Sequence, residues 1–280
     1  SIARNLKKYA PELSKIKIVL IDEADVIDNK TYTSVITHLW NAPVRIGLSG
    51  TLYLNKLKKF EVHNMNIMQF IGPAIDHVSI KTQIKNKKAT PVIVKSIGFN
   101  KPKDVDLDMF GDYLEQYKAV ILNNESYKQT LSRIEYNAKY NRFPMLIVVK
   151  YIDHCEQLYR YLVENSDYKI AHVHHKSPNR DSILNDFRNG RYDILVATTI
   201  ISRGKNFPDL QYLQNAACMD AHEKTIQILG RLVRLSSKKS KTYLDDIAYQ
   251  GSYLLRHSKH RVSYYKKQGF KVIKPKNWKI

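Results

Sequence analysis

Met145-Leu146-Ile147-Val148-Val149-Lys150 is an unbroken apolar run closed by a cation, and it starts an alternation that decides the fold. The spacing after it predicts a helix over 152–164, then strand 169–174, helix 178–188, strands 193–198 and 211–216, helix 222–234 and strand 241–247. Short apolar strands without polar alternation are buried on both faces, and strands separated by helices argue a parallel, doubly wound sheet. Ser177-Pro178 reads as the N-cap and first residue of a helix that Gly190 closes. Upstream, Asp108 to Tyr140 reads as helical, with Tyr113, Tyr117, Val120 and Ile121 at helical spacing. Asp76 to Phe99 is basic and strand-like, with Lys81, Lys85, Lys87 and Lys88 ahead of Pro91, and reads as a linker and the first strand of a second unit. A first unit precedes it. Lys17 to Ile21 is rich in β-branched residues, a helix is expected near Tyr32 to Trp40, and a strand from Val44 to Leu48 runs into Ser49-Gly50-Thr51. The expected division is 1–75 and 76–280, with no internal repeat.

The chemistry sits where strands end. Asp22 and Glu23 follow the Lys17–Ile21 strand directly, and open α/β sheets build their sites at that carboxyl edge. Two adjacent acids there can hold a metal and a water. Gln227, Arg231 and Arg234 are spaced i, i+4 and i+7, which on a helix places one amide and two guanidiniums on a single face suited to a triphosphate. Thr198, Thr199 and Ser202 end another strand, and short hydroxyl side chains in such places commonly contact strand phosphates. Lys150 is a similar candidate.

Taken in order, Asp22-Glu23-Ala24-Asp25, Ser49-Gly50-Thr51, the strand before Lys150, Ala197 to Pro208 and Gln227-Ile228-Leu229-Gly230-Arg231-Leu232-Val233-Arg234 resemble motifs II, III, IV, V and VI of the superfamily 2 helicases. The resemblance implies an α/β fold of two RecA-like doubly wound parallel-sheet lobes, the first incomplete, and an ATP-dependent motor. It implies that Asp22 engages the Mg²⁺ bound to ATP and that Glu23 orients and deprotonates the attacking water. It implies that Arg231 and Arg234 meet the γ-phosphate, with Gln227, Gly204 and Asn206 near the nucleotide. Asp25, Ser49 and Thr51 are then coupling residues, and Lys150, Thr198, Thr199 and Ser202 contact nucleic acid. No Gly-x-x-x-x-Gly-Lys-Ser/Thr occurs, so the phosphate-cradling loop is expected upstream in a longer protein, and these 280 residues alone are expected not to hydrolyse ATP. The opening Ser1-Ile2-Ala3-Arg4-Asn5-Leu6, without an initiator Met, is similar to the stretch ahead of motif II.

Ser49-Gly50-Thr51 and Gln227 are nearer to the DNA-acting branch than to the DEAD-box group. Gln69-Phe70-Ile71-Gly72-Pro73 and the stretch from Leu255 to Phe270 resemble UvsW-like phage helicases and their XPB-like relatives, which implies DNA, branched or single-stranded, as the partner. An RNA helicase, the motor part of a restriction enzyme and a non-catalytic nucleic-acid-binding module are the alternatives.

Composition agrees. Lys and Arg number 46 against 26 Asp and Glu, a net charge of +20 that favours a polyanionic partner. Cys155 and Cys218 are too few for a disulfide framework or a zinc cluster, and no apolar run approaches a membrane span, so a reducing cytoplasm, the host's if the chain is phage-encoded, is expected. His172, His174 and His175 are not expected to bind metal, because adjacent strand residues point to opposite faces and no paired Cys or acid stands at ligand spacing. Arg256 to Lys279 interleaves Lys259, Arg261, Lys266, Lys267, Lys271, Lys274 and Lys276 with Tyr264, Tyr265, Phe270 and Trp278, and reads either as a nucleic-acid-facing extension or as an ordinary basic helix covering the sheet.

Overall fold

The computed structural model describes residues 2–27, 29–50, 61–199 and 207–274. The chain divides into two compact units, Ser1–His77 and Val78–Ile280.

In the first unit, β1 (Ile18–Asp22) and β2 (Val44–Leu48) pair in parallel, Ile18 opposite Val44 through Asp22 opposite Leu48. Helices α1 (Leu6–Leu13), α2 (Lys30–Ile36) and α3 (Glu61–Ile71) bury Leu13, Ile36, Ile67 and Phe70 with Val19 of β1. A Cβ at Gly47 would strike both Ile71 and Ala24, so glycine at this point of β2 lets the loop after β1 pack against the sheet.

The second unit opens with helix α4 (Ile80–Lys85) and holds β3 (Val92–Phe99), β4 (Met145–Val149), β5 (Ile170–Val173), β6 (Ile194–Thr198), β7 (Tyr212–Asn215), β8 (Thr242–Tyr249) and β9 (Val272–Ile273). They form one seven-stranded sheet in the order β5-β6-β4-β7-β8-β3-β9, with every pairing parallel. The chain leaves β4 toward one edge, returns from β5 to β6, and continues past β4 to β7 and β8. Right-handed crossovers made in opposite directions put their helices on opposite faces. One face accordingly buries α5 (Tyr113–Ile121), α6 (Asn124–Ala138) and α7 (Ile152–Glu164), where Tyr117, Ile134 and Leu158 meet Ile147 and Val196. The other buries α8 (Arg180–Arg188), α9 (His222–Leu232) and α10 (Ser252–Lys267), where Phe187, Leu229 and Tyr265 meet Leu146, Val148 and Leu195. At roughly 1.5–3 kcal/mol for each large apolar side chain withdrawn from water, these two layers supply most of the drive to fold.

Several boundaries depart from the sequence expectation. The helix expected over 108–140 is two helices, because Asn123 serves both: its Nδ2 donates to the carbonyls of Ala119 (3.2 Å) and Val120 (2.6 Å), and its Oδ1 accepts from Ser126 N (3.0 Å). Helix α8 begins at Arg180, because Ser177 Oγ is taken by the N–H of His174 (3.0 Å) and caps nothing. Its end is as expected: Gly190, at φ +76°, donates to Phe187 O while Arg191 N donates to Asp186 O, the double closure that favours glycine there. Helix α9 stops at Leu232 and not at 234. Lys239 Nζ donates to the Leu232 carbonyl (3.0 Å), and Thr90 takes the Val233 carbonyl through its N–H (2.7 Å) and the Arg234 carbonyl through its hydroxyl (2.9 Å). Burial pulls the Lys239 ammonium down to about 8.

The basic C-terminal stretch is also corrected in part. Arg261 and Tyr265 are fully buried, where Arg261 Nε and Nη2 donate to both Asp246 oxygens at 2.9–3.1 Å and Tyr265 Oη donates to Asp246 Oδ2 at 2.7 Å. Lys259, Lys266 and Lys267 stay exposed. Lys276 and Trp278 lie outside the described residues. Among the described residues no helix is long and apolar enough to cross a membrane.

His154 on α7 is wholly buried, with Nδ1 2.7 Å from Tyr117 Oη, and burial pushes its pKa down to about 3. Because the unfolded chain binds a proton near pH 6.5 and the folded chain does not, this contribution to stability is complete above pH 6.5 and is lost as pH falls toward 3. At about 1.4 kcal/mol per pH unit, roughly 2 kcal/mol disappears by pH 5. Urea unfolding of wild type and His154→Gln across this range is expected to show a shallower acid limb in the variant; parallel limbs would refute the assignment.

Candidate nucleic-acid and nucleotide site

In the first unit, Asp22 is the last residue of β1, and Glu23 turns the chain sharply at φ +54° into a single 3₁₀ turn over Ala24–Val26. That backbone region is uncommon for a residue with a side chain and marks functional turns more often than ordinary ones. Asp22 Oδ1 accepts the N–H of Glu23 at 2.9 Å, and the Asp22 side chain is otherwise exposed. Asp25 is buried, and Ser49 Oγ donates to its Oδ1 at 2.6 Å. The turns after β1 and β2 are therefore joined by a charge-assisted hydrogen bond. Two of the three coupling candidates, Asp25 and Ser49, meet; Thr51 lies outside the described residues.

In the second unit, the carboxyl ends of β4 and β6 open on a cavity of about 900 Å³. Lys150, Thr198, Thr199 and Gln227 all line it, as do Lys118 and Lys224. This is the place where the strand order reverses around β4, the crevice in which open α/β sheets hold ligands. The start of α7 also faces it through Tyr151 to Asp153, and Tyr151 gives that helix no side-chain cap. First-turn N–H groups left without a side-chain partner suit a phosphate oxygen.

Two features of the cavity were not legible in the sequence. The Lys150 ammonium rests 4.1 Å from the ring centroid of Tyr113 and 4.9 Å from that of Tyr151, an aromatic cradle that holds a cation without neutralising it. Tyr151 follows Lys150 directly, but Tyr113 comes from α5, and no local signal joins it to β4. Secondly, Gln227 lies with Lys150, Thr198 and Thr199, and its Nε2 is buried without a hydrogen-bond acceptor among the described residues.

The face expected from Gln227, Arg231 and Arg234 is only partly present. Gln227 lines the cavity, Arg231 one turn later is 6% exposed, and Arg234 follows the end of α9 with its side chain in solvent. The i+7 relation fails because the helix is capped at Leu232 before it reaches 234. Ser202, Gly204 and Asn206 lie outside the described residues. The histidines differ from expectation as well. His172 and His174 share a strand face with rings 5.8 Å apart, and His174 Nε2 is 3.3 Å from Glu156 Oε1, so an acid is present after all. Even so, among the described residues no group of three or more such side chains is arranged to hold a metal.

Helicases recur among the known proteins that this chain resembles. The model of the helicase conserved C-terminal domain matches residues 123–236, a span that includes Lys150, Thr198, Thr199, Gln227, Arg231 and Arg234. Putative helicase 22 of the Sulfolobus islandicus filamentous virus (isolate Iceland/Hveragerdi) is 24% identical over 281 residues, covering 92% of this chain and 48% of its own length. This chain thus spans about half of that relative. Among solved structures, T4 UvsW superposes with a TM-score of 0.53 at 16% identity, over 97% of this chain and 56% of its own. The S. cerevisiae Dbp5 L327V variant bound to RNA and ADP BeF3 superposes with a TM-score of 0.64 at 16% identity, over 98% of this chain and 63% of its own. At such identity these two likenesses concern the fold.

Proposed function

We propose, from the match of residues 123–236 to the helicase conserved C-terminal domain, that the chain belongs to a superfamily 2 ATP-dependent motor that moves on, or remodels, DNA. The observation that carries this reading is the cavity at the switch point of the second sheet, where a cation, two hydroxyls and an amide with an unused buried donor converge. Such groups match the oxygens of a nucleic-acid backbone, and the surrounding excess of positive charge draws the polymer in.

The nucleotide side of the reading rests on the resemblance of Asp22, Glu23, Arg231 and Arg234 to the helicase motifs that carry such residues. Asp22 and Glu23 present hard oxygen donors at a strand end, the ligand chemistry Mg²⁺ prefers, and the Asp22 carboxylate keeps oxygens toward solvent. Bound with ATP, the ion would supply charge neutralisation at the phosphates. Asp22 would hold it, Glu23 would take the proton of the attacking water, and Arg231 and Arg234 would offset charge gathering on the γ-phosphate. Gly204 and Asn206 would flank the nucleotide. The Asp25–Ser49 hydrogen bond, with Thr51, would carry changes at these acids to the turn after β2.

DNA is favoured by Ser49-Gly50-Thr51 and Gln227 as they stand in the sequence. RNA is the second reading, supported by relatives named as RNA helicases and by the likeness to a protein solved with RNA.

The test is fluorescence anisotropy of the purified chain with single-stranded DNA, forked DNA and RNA across a salt series. Affinity is expected to fall steeply and linearly in log salt, with DNA bound more tightly than RNA; salt-independent or absent binding would remove the reading. In the same series Lys150→Gln is expected to weaken all sequences alike and to lower the salt slope by about one. An unchanged slope would take Lys150 off the strand. Phosphate release by these 280 residues alone is expected to be absent, since no loop positions the β- and γ-phosphates.

A further inference from the structure

The segment that leads into α9 is gripped residue by residue. Between β7 and α9, Cys218 is fully buried and held at φ +47°, a left-handed backbone that a residue with a side chain adopts only when its surroundings impose it. Its carbonyl accepts the Tyr113 hydroxyl at 3.0 Å and lies 3.1 Å from His257 Nδ1. The next carbonyl, of Met219, accepts Arg261 Nη1 at 3.1 Å. The Asp220 carboxylate accepts the Tyr264 hydroxyl at 3.1 Å and lies 2.7 Å from His260 Nδ1. His257, His260, Arg261 and Tyr264 stand at i, i+3, i+4 and i+7, one stripe of α10. Arg261 is itself locked by Asp246, so the α10 side of this grip is rigid.

Tyr113 is different. It reaches Cys218 from α5, its ring lies 4.8 Å from that of His257, and the same ring carries the Lys150 ammonium at the cavity. It touches both a cavity-lining cation and the strained loop ahead of Gln227 and Arg231. We propose that Tyr113 is a positioning residue that couples strand binding to the placement of α9. A backbone phosphate that draws the Lys150 ammonium off the ring removes the cation that fixes Tyr113. The hydroxyl then shifts on the Cys218 carbonyl, and the strained backbone at Cys218 relaxes, moving the start of α9. The left-handed and relaxed forms of Cys218 are the two states that the strand biases. This inference rests on Lys150 being a strand contact.

The measurement is amide hydrogen exchange of the 280-residue chain with and without a saturating single-stranded oligodeoxythymidine. Exchange over 216–221 is expected to rise on binding in wild type. Tyr113→Phe keeps the ring under Lys150 and removes only the hydroxyl, so it is expected to bind the strand as wild type does and to lose the strand-dependent rise. Tyr113→Leu is expected to lose both. No strand binding by wild type would overturn the strand-site reading and this coupling together. Binding without a change over 216–221, or a Tyr113→Phe chain that keeps the rise, would overturn the coupling alone. Protection of β4 and β6 reports whether Tyr113→Phe has folded. If it has not, His257→Phe removes the other donor to the same carbonyl and is expected to raise exchange over 216–221 before strand is added and to shrink the strand-dependent change; an unaltered change in that variant overturns the coupling.

Discussion

Arg261→Met is expected to lower the unfolding free energy by about 3–5 kcal/mol, the cost of leaving one charge of a buried pair without its partner. The residue is inaccessible to solvent, and it donates to Asp246, to the carbonyls of Met219 and Ile247 and lies within hydrogen-bonding distance of Ser258 Oγ. Asp246 holds its guanidinium well above the ordinary arginine range. Methionine fills much of the volume but leaves Asp246 with the Asn215 amide and the Tyr265 hydroxyl in place of a cation. Pairing the change with Asp246→Leu is expected to return only part of the loss, since the Asn215 amide and the Tyr265 hydroxyl then lose their acceptor. Denaturant midpoints of the two single variants and the double variant decide it; a single-variant loss within 0.5 kcal/mol, the size typical of surface changes, would show that the pair does not hold α10 to β8.

Glu23→Gln is expected to lower strand-stimulated phosphate release by about 10²–10⁴-fold, the usual contribution of a positioned general base, while strand and nucleotide affinity stay as they are. The assay needs a protein in which a phosphate-cradling loop accompanies these residues. Glutamine keeps the shape at the strand exit, and its backbone can hold the same turn, so a change confined to turnover separates proton transfer from positioning. Turnover near wild type would remove Glu23 from the chemistry, and equal losses in turnover and nucleotide affinity would make it a binding residue.

What the sequence made legible was what is local. The apolar runs of β4 and β6 are unmistakable because strands buried on both faces leave no room for polar alternation, and the glycine at 190 closes its helix through groups five residues apart at most. Lys150, Thr198 and Thr199 could be brought together in advance because each follows or ends such a strand, and parallel strands deliver their ends to one edge. Some misreadings are local, since the Asn123 and Ser177 side chains bond within a few residues of themselves; others depend on partners farther along the chain. Helix α9 looked long enough to carry Arg234, and it ends early because Lys239 takes its last carbonyl and Thr90 the two that follow. Arg261 looked like one more surface cation. Its burial follows from Asp246, which with Asp245 puts two adjacent acids inside a buried strand, and those acids were a sign that cations must come inside: Arg133 meets Asp245 and Arg261 meets Asp246. Tyr113 left no sign, since its acceptor is the carbonyl of Cys218, 105 residues on.

The pairing of β3 with β8 sets a timetable for synthesis. Val92 lies opposite Thr242 and Phe99 opposite Tyr249, so this strand leaves the ribosome some 150 residues before its main partner exists. At roughly 5–20 residues per second that is a wait of about 8–30 s. Throughout it, Val94, Ile97 and Phe99 must remain unpaired or be shielded. The second unit therefore cannot close its sheet from the N-terminus forward; β3 waits for β8, and β9 can join β3 only later still, which makes the nascent chain a candidate client for chaperones that hold apolar strands.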